Sequence, residues 1–246
     1  MGEEIISETF SGLPAFTSAE MRALEQLAEE RYGLSSERLM ENAGQAAARE
    51  IENWNGLSRE KTIAFACGRG LNGGDGLVIA RILQQKKLKV SVFICPPKKD
   101  SAYPALVLTQ MEKAASAGVS ITSFTESQDF ARALKDSQLV IDALLGTGSS
   151  GKPTGCVHFM IQEIARGKKP VIAIDIPSGL NPDTGYHSGA FVTATETLSL
   201  GLPKRGLLYP HAQKNVGTLK VLDIGYPPAL VQAVVAMRDS KSGPKK

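Results

Sequence analysis

No run of this 246-residue sequence approaches the roughly 18 consecutive apolar residues of a membrane-spanning helix. The opening Met1-Gly-Glu-Glu-Ile-Ile is acidic, whereas a secretory leader is basic and then apolar. Gly2 is placed for myristoylation, but Ile6 occupies the position where that motif needs Ser or Thr. These absences predict a soluble, unsecreted, cytoplasmic protein with no membrane partner. An excess of one charge is also missing. Lys and Arg number 28 against 25 Asp and Glu, and the basic residues are scattered except in Lys241-Ser-Gly-Pro-Lys245-Lys246. That balance excludes a basic face for nucleic acid and marks residues 236–246 as a basic, disordered tail. Cysteine is scarce: Cys67, Cys95 and Cys156 lie far apart, without metal-ligand spacing, and read as buried reduced thiols in a cytosolic protein. The only histidines, His158, His187 and His211, have no motif spacing that would make one a catalytic base.

What is present is apolar and periodic. A hydrophobic content of 42% over 246 residues can fill the core of one α/β domain, taken as residues 10–235. Thr17-Ser-Ala-Glu20 is a capping box ahead of Met21, Leu24, Leu27 and Ala28, which predicts a first helix. A second runs from about Ser36 through Leu39, Met40, Ala43 and Ala47 to Ile51. From Lys61 onward, β-rich runs at 62–67, 89–95, 139–143 and 170–174 alternate with helical stretches at 76–86, 102–117, 127–134 and 157–166. Two more runs, near 196–200 and 219–222, extend the same sheet. Repeated strand, helix, strand units imply right-handed crossovers and a mainly parallel sheet covered on both faces.

In such a sheet, ligands bind at the carboxyl ends of the strands, and three polar, glycine-rich segments stand there. The first is Gly68-Arg-Gly-Leu-Asn72-Gly-Gly-Asp75-Gly76, whose glycines let backbone N–H groups approach an anion near a helix N-terminus. Its G-x-G-x-x-G spacing lacks the acidic ribose ligand about twenty residues on, so it is not a standard dinucleotide fingerprint. A tight turn with no ligand is the bland alternative. The second is Asp142-Ala-Leu-Leu-Gly146-Thr-Gly148-Ser149-Ser150-Gly151-Lys152. Asp142 closes an apolar strand and needs a donor, a cation or a substrate proton as partner, unless it merely caps the turn. Pro153 follows Lys152, so the segment is not a phosphate-binding Walker loop. The third is Asp175-Ile-Pro-Ser178-Gly179. Asp175 is a candidate general acid or base, and Ser178, with its hydroxyl and nearby carbonyls, suits a monovalent cation. Ser178 lacks the G-x-S-x-G elbow of a serine hydrolase.

With these segments, Met40-Glu-Asn-Ala-Gly44, Gly201-Leu-Pro-Lys-Arg-Gly206 and Asp223-Ile-Gly225, the sequence resembles the YjeF N-terminal domain family from Phe16 to about Pro228. The resemblance implies a Rossmann-like three-layer α/β/α sandwich, usually a homodimer, holding a potassium ion on Asn72, Asp142 and Ser178. It implies substrate contacts from Leu71, Asn72, Gly73, Gly74 and Asp75, from Gly146, Thr147, Gly148, Ser149, Ser150, Gly151 and Lys152, and from Asp175. The implied reaction interconverts the R and S forms of hydrated NADH and NADPH (NADHX and NADPHX). An ATP- or ADP-dependent dehydratase on a separate chain then repairs the S form. Arg69 and Leu71 depart from the family's Gly-Pro-Gly-Asn-Asn-Gly-Gly-Asp-Gly. Some relatives act as dimerisation or scaffold modules, which is the alternative to catalysis. A kinase or an NAD-dependent dehydrogenase would need phosphate and ribose signatures that this sequence lacks.

Overall fold

The structure, a computed structural model, describes residues 8–124, 127–149, 151–187 and 189–242. A short hairpin of β1 (Thr9–Phe10) and β2 (Leu13–Pro14) leads into α1 (Ser18–Tyr32) and α2 (Ser36–Glu52). The capping box at α1 is formed: Thr17 Oγ1 accepts the Glu20 N–H at 3.3 Å, and the Thr17 N–H donates to Glu20 Oε2 at 2.6 Å. Both bonds satisfy donors that a first helical turn leaves open. Strands and helices then alternate as β3 (Thr62–Cys67), α3 (Leu71–Gln85), β4 (Val90–Ile94), α4 (Ala105–Ser116), β5 (Ser120–Ser123), α5 (Ser127–Asp136), β6 (Ser137–Ala143), α6 (Gly155–Gly167) and β7 (Val171–Ile174). Beyond them lie β8 (Glu196–Leu200), the single turn α7 (Gln213–Val216), β9 (Thr218–Leu222) and α8 (Pro228–Ser242).

Strands β3 to β9 form one sheet in the order β5-β4-β3-β6-β7-β8-β9, every neighbouring pair parallel. Successive strand residues point to opposite faces, so Ile63, Phe65 and Cys67 pack under α1 to α4 and α8, while Ala64 and Ala66 pack under α5 and α6. Both faces are covered, and the expected three-layer sandwich is observed. The chain leaves β3 in one direction through β4 and β5, then returns beside β3 at β6 and proceeds the other way. The gap between the carboxyl ends of β3 and β6 is therefore the topological switch point, where an open α/β sheet leaves a crevice.

Four sequence expectations need correction. Helix α3 begins at Leu71, not near Gly76, because close packing overrides the low helix propensity of paired glycines. A Cβ at Gly73 would lie 1.9 Å from the Gly68 carbonyl oxygen, and one at Gly76 would lie 2.7 Å from Ala143 and 2.8 Å from Cys67 Sγ. The edge strand β5, mostly exposed and without a strong apolar run, escaped the sequence pattern. Helix α8 carries the chain in helical form through Ser242, where a tail from residue 236 is expected; residues 243–246 lie outside the described residues. Lastly, Cys95 and Cys156 form a disulfide, with Cα atoms 5.8 Å apart, and only Cys67 is a free, buried thiol. Their wide spacing in sequence conceals that the parallel topology brings the end of β4 beside the first turn of α6.

Candidate active site

The crevice at the switch point is a cavity of about 390 Å³. Its walls come from α1, α2, the first turns of α3, the loop after β6, and the ends of β7, β8 and β9. Two of those strand ends make a sharp turn. After β7 the Ile176 N–H donates to the Ile174 carbonyl at 2.9 Å, with Asp175 between them at φ 71°. After β8 the Leu202 N–H donates to the Leu200 carbonyl at 2.9 Å, around Gly201 at φ 74°. A three-residue turn of this hand is rare, and it turns the Asp175 side chain out of the strand direction into the cavity.

Asp175 is 6% exposed and held from two sides. Its Oδ2 accepts the Thr147 N–H at 3.0 Å, and its Oδ1 forms an ion pair with Lys204. Lys204, 1% exposed, also donates to the Leu200 carbonyl at 2.6 Å. The segment carrying Lys204 is clamped to the chain's start: the Phe16 N–H donates to the Pro203 carbonyl at 2.9 Å, and the Arg205 N–H to the Phe16 carbonyl at 2.8 Å. Ser18 adds bonds from its N–H and Oγ to Asp183, at 2.6 and 2.7 Å.

Behind Asp175, the fully buried Asp142 accepts the Ser178 hydroxyl at 2.7 Å, the Ser178 N–H at 2.8 Å and the Leu144 N–H at 3.2 Å. Burial nevertheless outweighs these three bonds and pushes its carboxyl up to about 6. The Asn72 amide donates to the carbonyls of Leu145 at 3.0 Å and Ile174 at 3.2 Å, while its Oδ1 is buried without a partner. Asn72, Asp142 and Ser178 thus converge through the loop after β6, with Leu145 bonded to both Asn72 and Ser178 Oγ.

Of the residues expected to contact substrate, Leu71, Asn72, Asp75, Gly146, Thr147, Gly148, Ser149 and Asp175 line the cavity. Gly73 and Gly74 do not; Gly74 instead backs onto Met40, whose Cε would lie 2.7 Å from an added Cβ. Gly151 and Lys152 are outside it too, Lys152 lining a second cavity with His158, Lys168 and Phe191. Ser150 lies outside the described residues. The sequence reading missed Glu25, Tyr226 and the role of Lys204. All three line the cavity. Glu25 gave no local signal: it is an exposed residue beside the buried stripe of Met21, Leu24 and Ala28. Desolvation by the cavity walls, reinforced by neighbouring Asp175, raises the carboxyl of Glu25 even though that residue is exposed, and burial with Asp175 and Glu25 raises Asp75 well above the usual carboxylate range. Tyr226 is raised for the same reasons.

Residues 36–206 match the sequence model of the YjeF-related protein N-terminus family. The chain is 38% identical to an NAD(P)H-hydrate epimerase of Elusimicrobium minutum, over 89% of this chain and 98% of that protein. It is 33% identical to one of Rhodopirellula baltica, over 89% and 88%. A bifunctional NAD(P)H-hydrate repair enzyme of Moorella thermoacetica is 37% identical, and this chain spans 41% of its length. Among solved structures, the yeast protein YNL200c superposes with a TM-score of 0.79 over 90% of this chain and 93% of its own, at 21% identity. The chain belongs to the YjeF-related protein N-terminus family.

Proposed function

We propose that this chain is an epimerase interconverting the R and S forms of hydrated NADH and NADPH. The observation that carries the reading is Asp175: a carboxylate turned into a cavity by an uncommon backbone angle and fixed there by Lys204 and the Thr147 N–H. Epimerising one hydrated carbon needs no redox partner. It needs a group that takes a proton and returns it while a bond to that carbon breaks and re-forms on the other face. The cavity, about 390 Å³, is at the small end of ligand pockets, so it takes the hydrated nicotinamide and its ribose. The pyrophosphate then lies against the first turn of α3, whose N–H groups from Leu71 onward point outward, and against Gly146 to Ser149. Gly73 and Gly74 let α3 pack close against Gly68 and Met40.

Potassium fits the chemistry of Asn72, Asp142 and Ser178. One carboxylate, one hydroxyl and one amide oxygen form a weakly charged, all-oxygen donor set, and the orphaned Asn72 Oδ1 is an acceptor waiting for a positive partner. When bound, the cation supplies positive charge that orders the ends of β6 and β7. We further assign the chain to the cytoplasm as a homodimer that passes S-form product to an ATP- or ADP-dependent dehydratase on a separate chain. A chromatographic assay following R-NADHX into S-NADHX tests the function. Wild-type protein that leaves the ratio unchanged and binds no NADPHX overturns it.

A further inference from the structure

We propose that Tyr226 is the specificity-determining wall of the cavity, the ring against which the hydrated nicotinamide lies while its reacting carbon faces Asp175. This inference rests on the epimerase reading above. Two motifs of the sequence, Met40-Glu-Asn42-Ala-Gly44 and Asp223-Ile-Gly225, supply neither Asp175 nor a cation ligand. The structure joins them. The Asn42 amide on α2 donates to the Ile224 carbonyl at 2.8 Å, and the Gly225 N–H donates to Asp223 Oδ1 at 2.8 Å. Gly225 stands at φ 94°, and a Cβ there would lie 3.1 Å from Asn42 Nδ2. Asparagine is a poor helix residue because its side chain bonds elsewhere, and in α2 that bond reaches a distant segment of the chain. The segment so fixed leads directly into Tyr226, whose backbone the following Pro227 restricts further.

Among the described residues lining the cavity, Tyr226 is the only aromatic one; its apolar neighbours Leu200 and Ile224 are aliphatic. It is half-buried. The turns after β7 and β8 explain how it fits. At Asp175 the turn sends a carboxylate into the cavity, whereas at Gly201 there is no side chain and the Tyr226 ring fills the place of one, 2.5 Å from where a Cβ would stand. The edge of the ring is thus seated on Gly201. Burial, then the nearby charges of Glu25, Asp175 and Asp75, raise the Tyr226 phenol, so the ring stays neutral and shares one region of the cavity with Asp175.

The chemistry of the substrate suits such a wall. Adding water to one of the two ring double bonds of a dihydronicotinamide leaves the other conjugated with the ring nitrogen and the carboxamide. That part of the ring is flat and polarisable, and aromatic side chains stack such groups in preference to aliphatic ones. The hydrated carbon lies outside the flat part. Stacking therefore fixes the plane of the ring without choosing which face carries the hydroxyl, and a residue that serves both directions of an epimerisation has to hold both forms.

The test measures kcat and KM from the R and S forms of NADHX for wild type, Tyr226→Phe, Tyr226→Leu and Asn42→Ala. Each unfolding midpoint is measured too, with inhibition by ADP-ribose, which has no nicotinamide ring. Tyr226→Phe should stay within about twofold of an active wild type, because the ring is kept. Tyr226→Leu should raise KM at least about fivefold for both forms, with kcat changed less than about threefold and ADP-ribose inhibition unchanged. Asn42→Ala should raise KM by a smaller factor and add nothing in the Tyr226→Leu background. Three results overturn the assignment of Tyr226 and leave the epimerase reading standing: a Tyr226→Leu variant with KM within about twofold of an active wild type, ADP-ribose inhibition weakened as much as substrate binding, or an equal loss in Tyr226→Phe. An equal effect of Asn42→Ala in both backgrounds overturns the part given to Asn42. An inactive wild type overturns the epimerase reading and this inference with it.

Discussion

Strands β7 and β8 lie side by side and end in the same three-residue turn, but one turn is built on aspartate and the other on glycine. At Gly201 the positive φ is free of steric cost, and a side chain is forbidden in any case: a Cβ there would lie 2.5 Å from the Tyr226 ring. At Asp175 a side chain is kept although an aspartate at φ 71° costs roughly 1 kcal/mol or more of backbone energy that glycine would not, and it faces the cavity while pairing Lys204 and accepting the Thr147 N–H. Where a protein keeps a side chain against its backbone preference, that side chain is needed.

The largest effect that should follow is at Asp175. Asp175→Asn retains a residue that tolerates the turn, and should lower epimerisation by about a hundredfold to ten-thousandfold while circular dichroism stays unchanged. Activity within a few-fold of wild type would make the two turns equivalent and remove the basis of the comparison. Gly201→Ala should act on stability instead. Strain at φ 74° and displacement of Tyr226 together cost about 2–4 kcal/mol, read as a shift of the urea midpoint, and the protein that remains folded should keep turning over substrate.

A smaller effect separates the turns by ion. At potassium tenfold above its dissociation constant the native state should gain about 1.4 kcal/mol. Amide exchange should slow at residues 174–178, after β7, and stay unchanged at 200–202, after β8. Equal responses at both ends, or none, would remove the cation from Asn72, Asp142 and Ser178. The smallest effect is at Leu71, which is 49% exposed on the rim. Leu71→Asn adds one neutral hydrogen-bonding group and should tighten substrate binding by about 0.5–1.5 kcal/mol, or roughly two- to twelvefold, without changing the oligomer. Loss of a protein partner instead, with no gain in substrate affinity, would favour the scaffold role.

The sheet was legible in the sequence because parallel strands buried on both faces, such as 62–67 and 171–174, are short unbroken apolar runs. The three strand-end segments were legible because glycine and aspartate after such runs are conspicuous. Lys204 and Glu25 were not, since what makes them part of the site is a contact between the chain's beginning and the end of β8. No local pattern encodes that contact. The disulfide escaped for the same reason. Paired glycines at 73 and 74 misled in a different way: they read as loop, yet belong to a helix pressed against Gly68 and Met40.

The clamp between Phe16 and residues 203–205 has a consequence for the order in which the protein is made. Synthesis runs from the N-terminus, so the helix bearing Glu25 leaves the ribosome early, while the segment that holds it and supplies Lys204 leaves near the end. Until β8 and α8 are available, the apolar stripe of Met21, Leu24 and Ala28 has only part of its cover. Domains ordinarily take shape as they emerge, but here the α1 wall of the cavity is the last piece to close. A nascent chain halted before residue 204 therefore carries Asp175 without the lysine that pairs with it.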